Sequence, residues 1–176
     1  MYADKLKALI ESVPDFPQKG ILFRDITPLL ADPEGMHLVA QTMAQKVTQL
    51  ALNPTVIAGP ESRGFIFGVA LAQHLSLGFV PIRKPGKLPR AVYECRYQLE
   101  YGQDALQVHK DAFKQDDRVL LVDDLLATGG TAKACVDLVQ EAGASVAANF
   151  FLIELLGLKG RDKLTSTTVE ALLQYP

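Results

Sequence analysis

The 176-residue sequence lacks several features that mark specialised classes of protein. It has only two cysteines and no Cys-x-x-Cys spacing, so neither a disulfide framework nor a zinc site is expected. No stretch reaches the roughly 18 consecutive apolar residues of a membrane span. The first ten residues carry Asp4, Lys5 and Lys7 where a signal peptide has a continuous apolar core. We therefore expect a cytoplasmic protein with no membrane partner.

Strong charge of one sign and the common nucleotide-binding loops are absent as well. The formal net charge is −2 and no long cluster of Lys and Arg occurs, which argues against a nucleic-acid partner. The Walker A pattern is missing, and no Gly-x-Gly-x-x-Gly follows a strand pattern. With 48% hydrophobic residues, the sequence fits one domain over residues 1–176 that buries roughly 70% of its unfolded surface.

What the sequence does contain is an alternation of strand and helix patterns. Short apolar runs at Thr55–Ala58 and Gly78–Ile82 flank a helical pattern at Gly64–Leu75, and such a β-α-β unit implies parallel strands. The same reasoning predicts helices at 36–51 and 131–142, strands at 118–123, 145–155 and 167–172, and a short turn or helix at 157–164. The predicted fold class is therefore α/β, with a doubly wound, mainly parallel sheet flanked by helices.

Two segments depart from this alternation. Residues 2–12 have the apolar spacing of a short helix that Pro14 stops, and residues of about 14–30 would form a small N-terminal hood. Residues of about 83–104 place Pro and Gly around the alternating run Val92–Leu99, which predicts a long hairpin that serves as a flexible lid. Long excursions from a compact domain are often functional.

The most informative stretch runs from residue 119 to residue 131 and reads VLLVDDLLATGGT. Its apolar start is typical of a strand buried on both faces, which places Asp123 and Asp124 at the carboxyl end, where α/β sheets bind ligands. The loop Ala127–Thr131 offers two glycines, successive N–H groups and two hydroxyls at a helix N-terminus, which suits a phosphate monoester. An ordinary turn capped by Thr131, with Asp124 solvated, is the alternative. The complete stretch favours a ribose-phosphate site.

Two basic groups follow other predicted strands. The sequence Glu-Ser-Arg-Gly at 61–64 opens a helix, so Arg63 and the nearby N–H groups can face a diphosphate. The sequence Arg-Lys-Pro-Gly-Lys at 83–87 lies just beyond the next strand, where a mobile loop would bring its cations over the same anion. Solvated surface charge is the alternative for both groups. Their place beside the candidate ribose-phosphate site favours diphosphate binding.

The hood and the lid each contribute one residue with a candidate role. Phe23 would stack on a flat base, an interaction of about 1–3 kcal/mol, and burial in the core is its alternative. Glu100 lies on the lid, where closure would remove it from water and fit it for proton transfer with a ring nitrogen. An inert surface carboxylate is the alternative for Glu100. The three histidines have no spaced partner, so no histidine-based catalysis is expected.

Taken in order, these segments resemble the motifs of the adenine phosphoribosyltransferase family, within the type I phosphoribosyltransferases. The matching segments are FPQKGILFRDITP at 16–28, ESRGF at 61–65, RKPGKLP at 83–89, LEYG at 99–102 and VLLVDDLLATGGT at 119–131. Five motifs in the family's order are highly specific, whereas the last alone would identify only the wider superfamily. The resemblance implies that adenine and 5-phosphoribosyl 1-pyrophosphate (PRPP) are converted to AMP and pyrophosphate with Mg²⁺ present.

The resemblance also implies a role for each motif. The implied sites are one for the 5′-phosphate (Ala127, Thr128, Gly129, Gly130 and Thr131), one for pyrophosphate (Ser62, Arg63, Arg83, Lys84 and Lys87) and one for the base (Ile21, Phe23, Arg24 and Leu155). Asp123 and Asp124 would hold the ribose hydroxyls and stabilise positive charge at the anomeric carbon, and Glu100 would carry the adenine ring proton. Tyr101 would help to close the lid. Mg²⁺ would bridge substrate oxygens largely through water, with no side chain assigned as a direct ligand, and the protein would be a homodimer.

Two other functions compete with this one. A phosphoribosyltransferase for hypoxanthine, guanine or xanthine would share the PRPP motif, but the hood and the LEYG segment favour adenine. A PRPP-sensing regulator without catalysis would need a nucleic-acid-binding surface, and neither an added domain nor a basic stripe is present in the sequence. A structural interaction protein is a weaker third option.

Overall fold

A computed structural model describes residues 2–99 and 102–176. Its helices are α1 (Tyr2–Ala8), α2 (Thr27–Ala31), α3 (Pro33–Gln49), α4 (Arg63–Leu75) and α5 (Gly130–Glu141). Its strands are β1 (Glu11–Pro14), β2 (Leu22–Asp25), β3 (Val56–Pro60), β4 (Gly78–Ile82), β5 (Val92–Leu99), β6 (Gly102–His109), β7 (Arg118–Leu126), β8 (Ser145–Leu155) and β9 (Val169–Tyr175). Two 3₁₀ turns, Leu156–Leu158 and Gly160–Lys163, separate β8 from β9.

Five of these strands form one sheet in the order β4-β3-β7-β8-β9, and each neighbouring pair is parallel. Helices α3 and α4 cover one face, where Phe67 and Leu71 of α4 pack into the core. Helix α5 covers the other face through Val136 and Leu138. The predicted doubly wound α/β fold is confirmed, because apolar strands that are buried on both faces need a helical layer on each side.

The order of the sheet reverses between β3 and β7. Helix α4 leads from β3 to β4 on one side, and α5 leads from β7 to β8 on the other. Strand β3 pairs with β7 only as far as Ala58 and Leu121, whereas β7 continues beside β8 as far as Leu126 and Glu154. A crevice therefore opens at the carboxyl ends of β3 and β7, the switch point at which sheets of this class bind ligands.

Two predicted boundaries are wrong. Strand β7 does not end at Asp123 but runs to Leu126, because β8 continues to pair with it past both acidic residues. The predicted N-terminal helix ends at Ala8, because residues 11–14 pair with residues 22–25 in an antiparallel hairpin. The other predicted elements lie within a few residues of their observed bounds.

A second antiparallel hairpin, formed by β5 and β6, lies over helix α5. Its backbone register runs from the pair Val92 and His109 to the pair Leu99 and Gly102, so it occupies most of the segment predicted as the lid. Tyr97 packs against the core on the α5 side of the sheet. The hairpin is therefore placed beside the start of α5, where the candidate ribose-phosphate site lies.

Cys95 and Cys135 are free thiols, and Cys135 is buried. No helix among the residues that the structure describes has both the length and the apolar character needed to cross a membrane.

Candidate active site

A cavity of about 600 Å³ occupies the crevice at the carboxyl ends of β3 and β7. Small-molecule sites typically have volumes of about 300–1,000 Å³. The wall contains the loop Ala127–Thr131, called the phosphate loop below, together with Asp123, Asp124, Ser62, Arg63 and Lys84. Segments that are far apart in the sequence thus meet at one cavity, and this cavity lies at the carboxyl ends of the strands, where a ligand site was predicted.

The phosphate loop turns sharply from β7 into α5. Gly129 is the N-cap of the helix and has a φ of 78°, a left-handed conformation that residues with a Cβ rarely adopt. A Cβ at this position would also lie 2.3 Å from the carbonyl oxygen of Gly160. No side chain of the described residues caps the helix, and N–H groups left free at a helix N-terminus favour an anion.

The alternative in which Thr131 caps an ordinary turn is wrong. The N-cap is Gly129, and the Thr131 hydroxyl instead donates a hydrogen bond to the Tyr97 hydroxyl at 3.3 Å. An ideal Cβ on Gly130 would lie 3.4 Å from the carbonyl oxygen of Gln98 in the same hairpin. The β5–β6 hairpin therefore forms the wall of the cavity next to the phosphate loop.

The two acids are held in different ways. Asp124 is only 7% exposed, so it is not a solvated group, and its Oδ2 lies 2.8 Å from Nε of Arg63. Asp123 Oδ1 accepts the backbone N–H of Asp124 at 2.8 Å. Asp123 also lies against Gly64, where a Cβ would come within 2.9 Å of the same oxygen. Burial, and then the adjacent Asp124 carboxylate, raise the pKa of Asp123 well above its ordinary value.

We expect the stability of Asp123→Asn, relative to the unmodified protein, to increase as the pH rises. Because the pKa of Asp123 is raised by folding, the folded chain keeps a proton that the unfolded chain releases above about pH 3.8. The free energy of unfolding therefore falls as the pH rises from the unfolded pKa through the folded pKa, and Asn removes this fall because it does not titrate. Urea unfolding of both proteins from about pH 4 to pH 8 measures the difference. A difference that stays constant with pH would contradict the prediction.

Lys84 pairs at the cavity wall with an acid that had no predicted role. Its Nζ lies 3.0 Å from Oδ2 of Asp104 in β6. Burial acts to raise the pKa of Asp104, but the hydrogen bond and the charge of Lys84 outweigh it and hold the pKa below its ordinary value. The Lys84 ammonium group is therefore fixed at the wall by an ionised partner.

Arg83 and Lys87 do not line the cavity, unlike Lys84. Nε of Arg83 lies 3.4 Å from Oε1 of Glu61, which also accepts the backbone N–H of Lys84 at 2.5 Å. Burial acts to raise the pKa of Glu61, yet these hydrogen bonds and the charge of Arg83 outweigh it and lower the pKa. Glu61 itself lines the cavity, so it holds the start of the basic segment 83–87 at the rim.

Three polar residues of the cavity were not predicted, namely Glu61, Tyr97 and Asp104. Glu61 belongs to the ESRG motif, which was the available signal for it. Tyr97 and Asp104 are paired across the hairpin, and the Tyr97 hydroxyl lies 3.5 Å from Oδ2 of Asp104. Cross-strand partners share one face of a hairpin, but which face meets the site depends on where the hairpin packs.

The residues predicted to contact a base lie outside the cavity wall, in the β1–β2 hairpin and at the end of β8. Phe23 packs edge-on against Phe16, with ring centroids 5.1 Å apart. The Arg63 guanidinium carbon lies 5.9 Å from the centroid of the Phe23 ring. Since Arg63 also contacts Asp124, it links the hood to the acids of the cavity.

Arg24 and Leu155 share one neighbour, Tyr175. The Arg24 guanidinium carbon lies 4.0 Å from the centroid of the Tyr175 ring, and Arg24 donates a hydrogen bond to the Ser12 hydroxyl. Leu155 is the strand partner of Tyr175 in the β8–β9 pair. Ile21, the remaining predicted base contact, is 39% exposed. Glu100 and Tyr101 lie outside the described residues.

The arrangement suits a ligand that combines anionic groups with hydroxyls. The phosphate loop offers N–H groups, Asp123 and Asp124 offer acceptors, and Lys84 offers a cation. Within residues 2–99 and 102–176, no three His, Cys, Asp or Glu side chains come together in a group that could hold a metal ion. A phosphorylated sugar that carries a second anion has the matching chemistry.

Known proteins with similar sequences and structures cover the whole chain. Residues 25–163 match the model of the phosphoribosyl transferase domain family. The chain is 59% identical over 175 residues to the adenine phosphoribosyltransferase of Francisella tularensis, which covers 99% of this chain and 100% of that protein. The crystal structure of adenine phosphoribosyltransferase from Thermoanaerobacter pseudethanolicus matches with a TM-score of 0.95 and 45% identity, over 98% of this chain and 99% of that one. The Saccharomyces cerevisiae enzyme, complexed with adenine and an imino-altritol bisphosphate, matches with a TM-score of 0.94 and 39% identity, over 98% of each chain.

Proposed function

This chain belongs to the adenine phosphoribosyltransferase family, and we propose from that premise how its residues divide the family's reaction between them. The reaction converts adenine and PRPP to AMP and pyrophosphate, which is a step of purine salvage. The observation that carries the assignment of roles is the single cavity at which the phosphate loop, the two acids and Lys84 meet.

The phosphate loop would hold the 5′-phosphate of PRPP and of AMP. The N–H groups of Gly130 and Thr131 begin helix α5 and have no intrahelical acceptor, so they are free to donate to phosphate oxygens. The Thr128 hydroxyl would add a further donor, and the Thr131 hydroxyl would add another by exchanging its hydrogen bond to Tyr97 for one to the phosphate. Gly129 allows the close approach of the backbone because it has no Cβ.

Asp123 and Asp124 would hold the ribose hydroxyls and act on the charge that develops during transfer. As the bond from the anomeric carbon to pyrophosphate breaks, positive charge grows on the sugar. Asp124 is buried and fixed by Arg63, so its negative charge needs little rearrangement to stabilise that cation.

Lys84, Ser62 and Arg63 would hold the pyrophosphate group. All three line the cavity, and Lys84 faces it from the β4 side. Arg83 is held beside the cavity by Glu61, and Lys87 belongs to the same basic segment, so both would join the site when the segment 83–87 moves over the diphosphate.

Adenine would lie between Phe23 and Leu155, with the backbone near Ile21 and Arg24 choosing the amino-purine over an oxo-purine. Arg63 supports this placement because it contacts both the Phe23 ring and Asp124, the residue next to the ribose. Glu100 would exchange the proton of the adenine ring, and Tyr101 would help to close the lid.

Magnesium fits this site as an ion carried mainly by the substrate. Mg²⁺ prefers oxygen ligands and keeps several waters, and it commonly binds through substrate phosphates. The nearby carboxylates are already engaged, Asp124 by Arg63 and Asp104 by Lys84, which leaves diphosphate and ribose oxygens as the main ligands. When bound, the ion would neutralise charge on the leaving pyrophosphate.

We also place the enzyme in the cytoplasm and expect it to act as a homodimer. The two free thiols, Cys95 and Cys135, are in keeping with a reducing compartment. The homodimer is implied by the family resemblance, and sedimentation of the purified protein tests it.

The choice of base is the decisive test of the function. With PRPP and Mg²⁺, we expect AMP to form from adenine at least about 10²-fold faster than IMP from hypoxanthine or GMP from guanine, because a site that hydrogen-bonds an amino edge leaves groups unpaired with an oxo-purine. Initial rates measured by chromatography of the nucleotides provide the comparison. Faster formation of IMP or GMP would contradict the adenine assignment, and PRPP binding without any turnover would favour a sensing role.

A further inference from the structure

An ion pair with a buried carboxylate lies behind the phosphate loop. Glu154, which is 2% exposed, accepts two hydrogen bonds from Arg161, from Nε at 2.5 Å and from Nη2 at 2.8 Å. Gln174 Nε2 donates to the same carboxylate at 2.9 Å, and Arg161 Nη1 donates to the carbonyl of Val169 at 2.7 Å. Such a bidentate pair with outer hydrogen bonds gives the guanidinium one fixed position. None of these four residues has a role in the reaction proposed above.

Arg161 directly follows the residue on which the phosphate loop rests. Gly160 is buried, and its carbonyl oxygen would lie 2.3 Å from a Cβ on Gly129. A Cβ on Gly160 itself would lie 2.4 Å from the carbonyl oxygen of Ala127. The two backbones are therefore in direct contact, with no side chain between them. A shift of the peptide at Gly160 moves the surface against which the phosphate loop is packed.

The turn that carries Gly160 is closed by short-range backbone hydrogen bonds, from the Asp162 N–H to the Lys159 carbonyl at 3.0 Å and from the Leu164 N–H to the Arg161 carbonyl at 2.9 Å. Lys159, the preceding residue, has a φ of 52°, a left-handed conformation that is unfavourable for residues with a Cβ. The 3₁₀ turn Gly160–Lys163 is only four residues long. The hydrogen bonds of Arg161 tie this turn to the end of β8 through Glu154 and to the start of β9 through Val169. Contacts from outside the turn therefore help to fix its position.

We propose that Glu154 and Arg161 are positioning residues, whose ion pair holds the Gly160 peptide against the phosphate loop and so preorganises the loop for the 5′-phosphate. This inference rests on the proposed role of Ala127–Thr131. A loop that is already in its binding conformation loses less freedom when the ligand arrives. Hydrogen bonds from Arg161 hold the pKa of Glu154 below its ordinary value, so the pair is intact at neutral pH. Buried ion pairs often add little net stability, so a contribution to overall stability does not by itself explain this pair.

Arg161→Lys tests the proposal because it keeps the charge and loses the two-pronged hydrogen bonds. We expect the KM for PRPP and the Kd for ribose 5-phosphate, measured by calorimetry, each to rise about tenfold, while kcat and the KM for adenine change less than about threefold. A double variant, Glu154→Gln with Arg161→Gln, leaves no unpaired buried charge and should show the same pattern. Arg90→Lys is the matched control, because Arg90 forms an exposed ion pair with Asp111. It should leave all four constants unchanged.

A third substitution separates this inference from the function on which it rests. Thr131→Val alters the phosphate loop directly. If it weakens ribose 5-phosphate binding while both ion-pair variants bind as tightly as the unmodified protein and only melt at a lower temperature, the positioning role is overturned and the phosphate site stands. If Thr131→Val also leaves binding unchanged, the proposed phosphate site is itself wrong, and the positioning role falls with it.

Discussion

Asp124→Asn is expected to lower kcat by about 10³-fold and to leave the fold in place. The carboxylate is buried and is held 2.8 Å from Nε of Arg63, so its charge is largely shielded from bulk water. Removing one preorganised electrostatic contact to a transition state typically costs about 10²–10³ in kcat. We expect the upper end, because the substitution also leaves the Arg63 guanidinium without its partner, and that positive charge opposes the cation that forms on the sugar.

Steady-state kinetics in the forward direction, with PRPP and adenine each varied, separate this effect from lost binding. A transition-state role lowers kcat and kcat/KM together. Asp111→Asn is the control. It removes an exposed carboxylate in the turn that follows β6, and it should retain full activity. A variant of Asp124 that keeps its kcat and only raises the KM for PRPP would contradict the proposed role and reduce Asp124 to a ribose contact.

Gly129→Ala is expected to lower kcat/KM for PRPP by between about 10² and 10³, mainly through the KM. An Ala residue at a φ of 78° costs about 1–2 kcal/mol in backbone conformation alone. Its Cβ would also lie 2.3 Å from the Gly160 carbonyl oxygen, so either the loop or the 3₁₀ turn must move. A displacement of about 1 Å at a positioning contact is enough to cost about 10²-fold in rate.

Gly143 provides the matched control for this substitution. It has a φ of 87°, close to that of Gly129, but a Cβ there would meet nothing within 4 Å. Gly143→Ala should therefore lose about 1–2 kcal/mol of stability from backbone conformation and keep its activity. Thermal melting and kinetics of the two variants separate the cost of the backbone conformation from the steric clash with the Gly160 carbonyl oxygen. Equal kinetic losses in both variants would contradict the proposed packing of the loop on Gly160.

The parts of the site that the sequence predicted are those that are local in the chain. The stretch from Val119 to Thr131 combines a strand, two acids and a loop that enters a helix, so its geometry follows from neighbouring residues. The end of β7 was misplaced because acids commonly mark a strand end, whereas β8 continues to pair with β7 as far as Leu126. The position of the acids beside the crevice was nevertheless correct, since β3 ends earlier than β7.

Contacts that depend on long-range packing could not be predicted from patterns. Tyr97 and Asp104 reach the cavity because the β5–β6 hairpin packs on α5, and nothing in an alternating strand pattern gives that docking position. Lys84 and Arg83 are neighbours in a charged run, yet only Lys84 lines the cavity, because Arg83 is engaged by Glu61. The direction of a charged side chain is set by its partner, and the partner here comes from a distant part of the sequence.

The unequal pairing of β7 also decides where the sheet opens most easily. Beyond Leu121 this strand is hydrogen-bonded to β8 alone, and the N–H of Asp124 is satisfied by the side chain of Asp123. Local opening of this segment breaks hydrogen bonds to one neighbouring strand, whereas opening at Leu120 breaks hydrogen bonds to two. Opening of the segment beyond Leu121 therefore costs less free energy. A ligand in the crevice lies where β3 no longer pairs with β7. Its binding is therefore linked to that opening equilibrium. Amide hydrogen exchange in this part of β7 should therefore slow when a ligand occupies the site.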